Sequence, residues 1–279
     1  MIAVLLALSA GLAWGFADFG AGVGSRRLRV PLVLAVSQTA GLVLVGTIVA
    51  ASGRPVPSAA QIGWGAFAGA VGLVGVTAFY RALAVGAMGI VGPISATAVV
   101  VPVTYGLARG ERPSVVQGVG VALSFVGVVA ASLERTPDRS GRQLGTGVGL
   151  ALLAALGFGG SLLGLSRAAA GGAIWATLSM RAVAVPVVVA AALLLRPGKL
   201  RPGRGLVLLV LVGFCDTGAT ILYGLATTRG LLSVVAVLAS LYPVVLVVLA
   251  RTLLAERIAR PQLAGVALAL AGVALISAG

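Results

Sequence analysis

The chain alternates long apolar runs, each about the length of a bilayer crossing, with short clusters of Arg, Pro and Gly. A spanning helix needs roughly 20 mostly apolar residues to cross a hydrocarbon core about 30 Å thick. Runs bounded by charged or Pro/Gly breaks predict spans over 2–22, 31–51, 62–82, 88–108, 114–133, 146–166, 172–195, 205–227, 231–250 and 261–278. The expected fold is an all-α membrane protein of about ten transmembrane helices. The longest polar stretch, Glu134 to Gly145, falls at the middle of the chain and reads as a linker. Met1 to Ala13 superficially resembles a signal peptide, with small residues at Ser9 to Gly11. It lacks a basic n-region and recurs in the second half, so it is read as the first span.

That recurrence is part of an internal repeat. From Glu111 the chain reads ERPSVVQGVGVALSFVGVVAAS, and from Glu256 ERIARPQLAGVALALAGVALIS, with Gln117/Gln262, Gly120/Gly265, Gly127/Gly272 and Ser132/Ser277 in register. Upstream, TAFY at 77–80 answers TILY at 220–223, Pro102 answers Pro243, and Ala13, Gly15 and Phe16 answer Ala155, Gly157 and Phe158. Apolar helices resemble one another by chance, but the matched Glu-Arg, Gln and Pro are not apolar. The expected organisation is a first five-span repeat over 1–134, a linker over 135–145 and a second five-span repeat over 146–279. With an odd number of spans per half, the second half enters the membrane upside down. Such inverted repeats are a transporter design with a binding site between the halves near the midplane.

Composition agrees. With 59% hydrophobic and 9% charged residues, the chain has too little polar surface to cover a soluble fold. The formal net charge of +14 would suggest nucleic acid if it lay on one soluble face, but nearly all of it lies in the short connections, so no nucleic-acid partner is expected. Juxtamembrane Arg and Lys hold loops on the cytoplasmic side and contact anionic headgroups of the bilayer. A single cysteine, Cys215, excludes an internal disulfide, and the lack of histidine removes most metal sites and the common general base. No metal, cofactor or catalytic residue is therefore expected. Arg in preference to Lys, with abundant Ala, Val and Gly, suggests a high-GC bacterial genome and hence a multi-pass protein of a bacterial inner membrane.

Polar and ionisable residues within spans are costly and are the candidates for function. Two of the six acids lie in apolar runs. Asp216, near the middle of the eighth span, is placed to take and release a proton, or else to hydrogen-bond a neighbouring helix as a neutral acid. Asp18, nearer the end of the first span, lines the cavity or reaches the interface. Arg181 lies about two turns inside the seventh span, and its first-half counterpart is Gln38. A cavity-lining Arg would hold a carboxylate or phosphate by paired hydrogen bonds; the alternatives are snorkelling to headgroups or a structural pair with an Asp. Tyr80 and Tyr223 form a matched aromatic pair, with Trp14 on the first span. Such rings would pack an apolar solute or simply pack the core and the interfacial belt. Pro102, Pro243 and Pro186 are expected to bend their helices. Gly118, Gly120, Gly127, Gly265 and Gly272 allow close helix packing, and the fifth and tenth spans offer a face for a second copy in a homodimer. Glu111–Arg112 and Glu256–Arg257 are read as neutralising one another at the loop surface.

A proline-bearing fourth or ninth span, a short loop with Glu-Arg and then a Gln-x-x-Gly span occur in order in each half, as PVTYGLARGERPSVVQGVG and PVVLVVLARTLLAERIARPQLAG. In this, and in Trp14–Gly15, the chain resembles the EamA-type ten-span members of the drug/metabolite transporter superfamily. The resemblance implies two halves around a central cavity that exchange access between the two sides of the membrane. It also implies movement of a small organic solute such as a metabolite, amino acid or drug, usually driven by an ion gradient, with a proton or sodium as coupling ion. Arg181 lies where the family often places an Arg.

An ion-coupled exporter working by alternating access is thus the leading expectation, with a channel or a non-transporting membrane scaffold as alternatives. An enzyme is not expected. Asp216-Thr217-Gly218 matches the aspartic-protease triplet, but that triplet works in a β-loop and this one falls in a helix. Loops opposite the termini carry about 14 basic residues against about five on the termini side, which places both ends outside. The family resemblance implies both ends inside.

Overall fold

A computed structural model describes residues 1–25, 28–85, 94–131, 141–195, 203–254 and 260–278. Among these the apolar runs are helical and no strand occurs. The helices are α1 (Ile2–Ser25), α2 (Val30–Ser52), α3 (Ala59–Val85), a 3-10 turn (Thr97–Val99) leading into α4 (Val100–Ala108), and α5 (Val115–Ala131). The second half supplies α6 (Gly141–Ala169), α7 (Ala173–Leu195), α8 (Arg204–Thr227), α9 (Leu232–Ala239), α10 (Tyr242–Leu254) and α11 (Arg260–Ala278).

Helices α1, α2, α3, α6, α7 and α8 are long and apolar enough to cross a membrane. Four shorter apolar stretches, Ile94–Ala108, Val115–Ala130, Leu232–Val245 and Leu263–Ile276, coincide with the expected fourth, fifth, ninth and tenth spans. The same two positions are short in each half.

Two elements depart from the sequence reading. The expected ninth span, 231–250, is two helices rather than one. Pro243 has no N–H to give the carbonyl of Ala239, so the helical ladder cannot run through. The chain closes α9 with Ser240 N–H to Ala236 O (3.0 Å) and Leu241 N–H to Leu238 O (3.4 Å), and α10 starts afresh with proline in its first turn. In the fourth span the 3-10 turn at Thr97–Val99 likewise lies just ahead of Pro102. Pro186, by contrast, lies inside a continuous α7. The second departure is that α6 begins at Gly141, inside the expected linker. Arg142, Gln143 and Leu144 are good helix formers, so the helix extends past the polar boundary. Glu134, Asp138, Glu256 and Arg257 lie outside the described residues.

Helix pairing keeps its pattern when the halves are exchanged. α3 packs on α6 as α8 packs on α1, and α3 packs on α7 as α8 packs on α2. α6 meets the 3-10 turn and α4 as α1 meets α9 and α10, while α2 pairs with α7 and α5 with α11. Lipid tails are as apolar as leucine, so helix association here depends on close packing rather than on hydrophobic burial. Glycine makes it close: a Cβ on Gly120 would lie 2.7 Å from Gly272 O, and one on Gly127 would strike the backbone of Ala269. The glycine faces of α5 and α11 thus meet each other within the chain, whereas the side of Gly118 is open.

Candidate functional site

Near the midpoints of α1 and α8, four helices, two from each half, converge on one carboxylate. Asp216 on α8 accepts a hydrogen bond at Oδ1 from Trp14 Nε1 of α1 (3.1 Å). Its Oδ2 accepts from Gln38 Nε2 of α2 (3.0 Å) and from Arg181 Nη2 of α7 (2.9 Å). Arg181 Nη1 also donates to Gln38 Oε1, which closes a ring of three side chains. Arg181 is only 3% exposed, and Asp216 retains 25% of its side-chain surface. The guanidinium fits because residue 41, one turn beyond Gln38 on α2, is glycine: a Cβ there would come within 3.1 Å of the Arg181 guanidinium carbon and would strike Thr217 Oγ1.

Such an ion pair is held by its geometry. The carboxylate has three donors and the guanidinium two acceptors, and removing one member leaves the other as an uncompensated buried charge at a cost of about 3–5 kcal/mol. Arg181 Nε–H is buried and has no acceptor among the described residues. An orphaned donor of this kind costs about 1–3 kcal/mol. Four of the sequence candidates, Trp14, Gln38, Arg181 and Asp216, are therefore brought together, and Arg181 adopts the Asp-paired alternative rather than snorkelling.

Asp18 is placed differently. It lies one turn beyond Trp14 on the same face of α1, close enough to Asp216 and Tyr242 to interact with them electrostatically, yet it has no hydrogen bond or ion pair among the described residues. It is exposed, yet it falls on the side of α1 that carries the buried Gly11 and Gly15 and not on that of the exposed Leu12 and Phe16, so it lines a crevice in the bundle rather than the outer face. One turn further on, Gly22 is also exposed, with open space where a Cβ would stand. The crevice therefore opens toward the side of the basic loops.

Tyr223 is fully buried, with its hydroxyl donating to Leu162 O on α6 (3.3 Å) and its ring 5.7 Å from that of Trp14. It supports Trp14 from behind and presents no open face to a solute. The side chain of its counterpart Tyr80 lies outside the described residues. Asp216-Thr217-Gly218 is helical, with its carboxylate tied to Arg181. No group of three or more metal-ligating side chains occurs among the described residues.

One arrangement has no local sequence signal. Glu111 does not sit at the loop surface against Arg112: its carboxylate accepts from Leu232 N (2.7 Å), Ser233 N (2.9 Å) and Ser233 Oγ (2.7 Å), at the start of α9 in the other half. The repeated Glu-Arg marked the residue, but its partner lies about 120 positions away.

Comparison with known proteins bears on the same architecture. One solved structure, titled only "Crystal structure of protein", superposes with a TM-score of 0.82 over 98% of this chain and 95% of its own, at 18% identity. At that identity the likeness is one of fold. No curated protein matches the sequence. The profile of the EamA-like transporter family matches twice, over residues 1–133 and 145–278. The chain therefore belongs to the EamA-like transporter family, within the drug/metabolite transporter superfamily, and is a multi-pass membrane protein.

Proposed function

We propose that this chain is a secondary active carrier that exports a small organic solute (a metabolite, an amino acid or a drug-like compound) across a bacterial inner membrane by alternating access. The observation that carries this reading is the Trp14–Gln38–Arg181–Asp216 cluster, drawn from two helices of each half and set near the midpoints of α1 and α8. A polar group shared between halves is remade when they rotate, so a solute that competes for Arg181 or Asp216 biases which side is open. The exchange symmetry of the helix pairing supports two inverted repeats, which gives outward- and inward-open states of comparable energy. Asp18, unpaired and open to the crevice, is better placed than Asp216 to take up a coupling proton or sodium ion. Asp216 is already neutralised by Arg181.

The test is uptake of amino acids and cationic drugs into proteoliposomes under an imposed pH gradient, with a sodium-gradient arm. Saturable counterflow in the wild type, with gradient-driven movement lost in Asp18→Asn, is the expected result. Movement without saturation or counterflow would establish a channel instead, and no movement of any solute would favour a scaffold.

A further inference from the structure

We propose that Glu111 is the latch that holds the termini side of the carrier shut. The proposal rests on the alternating-access reading above. Helix α9 is unusual in being buried along its whole length, Leu232 to Ala239. Its own N-cap, Leu231, offers no side-chain hydrogen bond. With the first turn packed in protein in this conformation, leaving its free N–H groups unpaired there would be costly. Glu111 supplies what the local sequence lacks: its two oxygens take the N–H groups of Leu232 and Ser233 and the Ser233 hydroxyl, and its negative charge sits at the positive end of the helix.

The first half is shaped to deliver that carboxylate. α4 ends at Ala108, and Gly110 turns the chain with φ +91°, in the left-handed region where glycine is favoured. Glu111 N–H then bonds back to Gly106 O (3.1 Å), so that the residue folds over the last turn of α4. Glycine at 106 leaves room for the Glu111 carboxylate, which a Cβ there would displace. Loop, turn and helix end thus fix one side chain of the first half onto the N-terminus of a helix of the second.

The bond is also made to open. Glu111 and Leu232 line a cavity of about 220 Å³ with Tyr105, Arg109, Ser166 and Thr227. On parting, therefore, the carboxylate and the helix end trade these hydrogen bonds for bonds to water rather than for nothing, so the net cost of release is that of exchange. With α9 latched, the termini side is closed while the crevice at Asp18 and Gly22 is open to the other side. Glu111 belongs to the doubled Glu-Arg motif, which otherwise has no part in the site; its copy at Glu256 lies outside the described residues.

The experiment uses the full chain in proteoliposomes with the single native cysteine removed as Cys215→Ser. Ala236→Cys, fully buried one turn into α9, reports opening on the termini side. Gly22→Cys reports the other side. An impermeant maleimide is applied from each face. Losing charge-assisted hydrogen bonds should raise labelling at Ala236→Cys about tenfold in Glu111→Gln and lower it at Gly22→Cys. Ser233→Ala should shift both reporters the same way by less. Gly106→Ala, which displaces the carboxylate without removing it, should match Glu111→Gln and serves if that variant fails to fold. A rise at Ala236→Cys with Gly22→Cys unchanged means local fraying of α9 and overturns the latch, as does no change in either. If the wild type labels at both reporters in proportions that a solute shifts, while Glu111→Gln leaves them alone, only the latch fails. If the wild type never labels at Ala236→Cys and no solute moves either reporter, the alternating-access reading itself fails.

Discussion

Asp216 and Asp18 are both single carboxylates in glycine-rich apolar helices, and the two helices pack against each other. Their surroundings are opposite. Asp216 is held by an indole, an amide and a guanidinium from three other helices, whereas Asp18 has no hydrogen-bond or ion-pair partner among the described residues and faces a crevice. An intramembrane acid is costly in either setting. One is stabilised by partners that fix the relative position of four helices; the other is exposed in its crevice and has no such partners among the described residues. The first therefore does structural work as well as any binding work, whereas the second has no hydrogen-bond or ion-pair partner to lose.

Substitution should separate the two. Asp216→Asn leaves the Arg181 charge buried and unpaired, so unfolding in mixed micelles should show a loss of about 3–5 kcal/mol. Arg181→Gln combined with Asp216→Asn should recover most of that loss; if it recovers none, the pair is not the source of the effect. Asp18→Asn should cost less than about 1 kcal/mol in the same assay, as expected for a group with no partner to lose. It should nevertheless abolish gradient-driven uptake. A large stability loss there would show that Asp18 is held as Asp216 is, and the contrast would collapse. Trp14→Phe keeps a ring against Tyr223 but removes the Nε1 donor together with the indole's second ring, so about 1–2 kcal/mol should go. Tyr223→Phe, which removes one long hydrogen bond at 3.3 Å, should cost about 0.5 kcal/mol and leave uptake unchanged. A Tyr223→Phe variant that lost transport would return the ring to the solute path.

Much of this site was legible in the sequence because polar residues inside apolar runs are few. Arg181 and Asp216 stood out by that criterion, Gln38 as the repeat counterpart of Arg181, and Trp14 as an aromatic ring on the first span. What the pattern did not disclose was which of them pair. Arg181 was open to a solute, a headgroup or an aspartate, and the choice depended on how α7 lies against α8 and α2. Tyr223 was likewise open to two roles, an aromatic wall for a solute or core packing, and its ring is closed in by α1 and α6. Glu111 was misplaced, since a sequence neighbour, Arg112, offered the obvious charge partner.

The sequence by itself determined the apolar elements and marked residue 243 as a place where proline disturbs the helix. These follow from local chemistry, since each depends on residues within a few turns of one another. Only the tertiary structure decided that Asp216 is held and Asp18 is not, and that α9 is capped from the other half. Those depend on contacts between residues far apart in sequence, Trp14 and Asp216 being separated by 202 positions. Such contacts are set by helix packing, where one glycine more or less decides how closely two backbones approach.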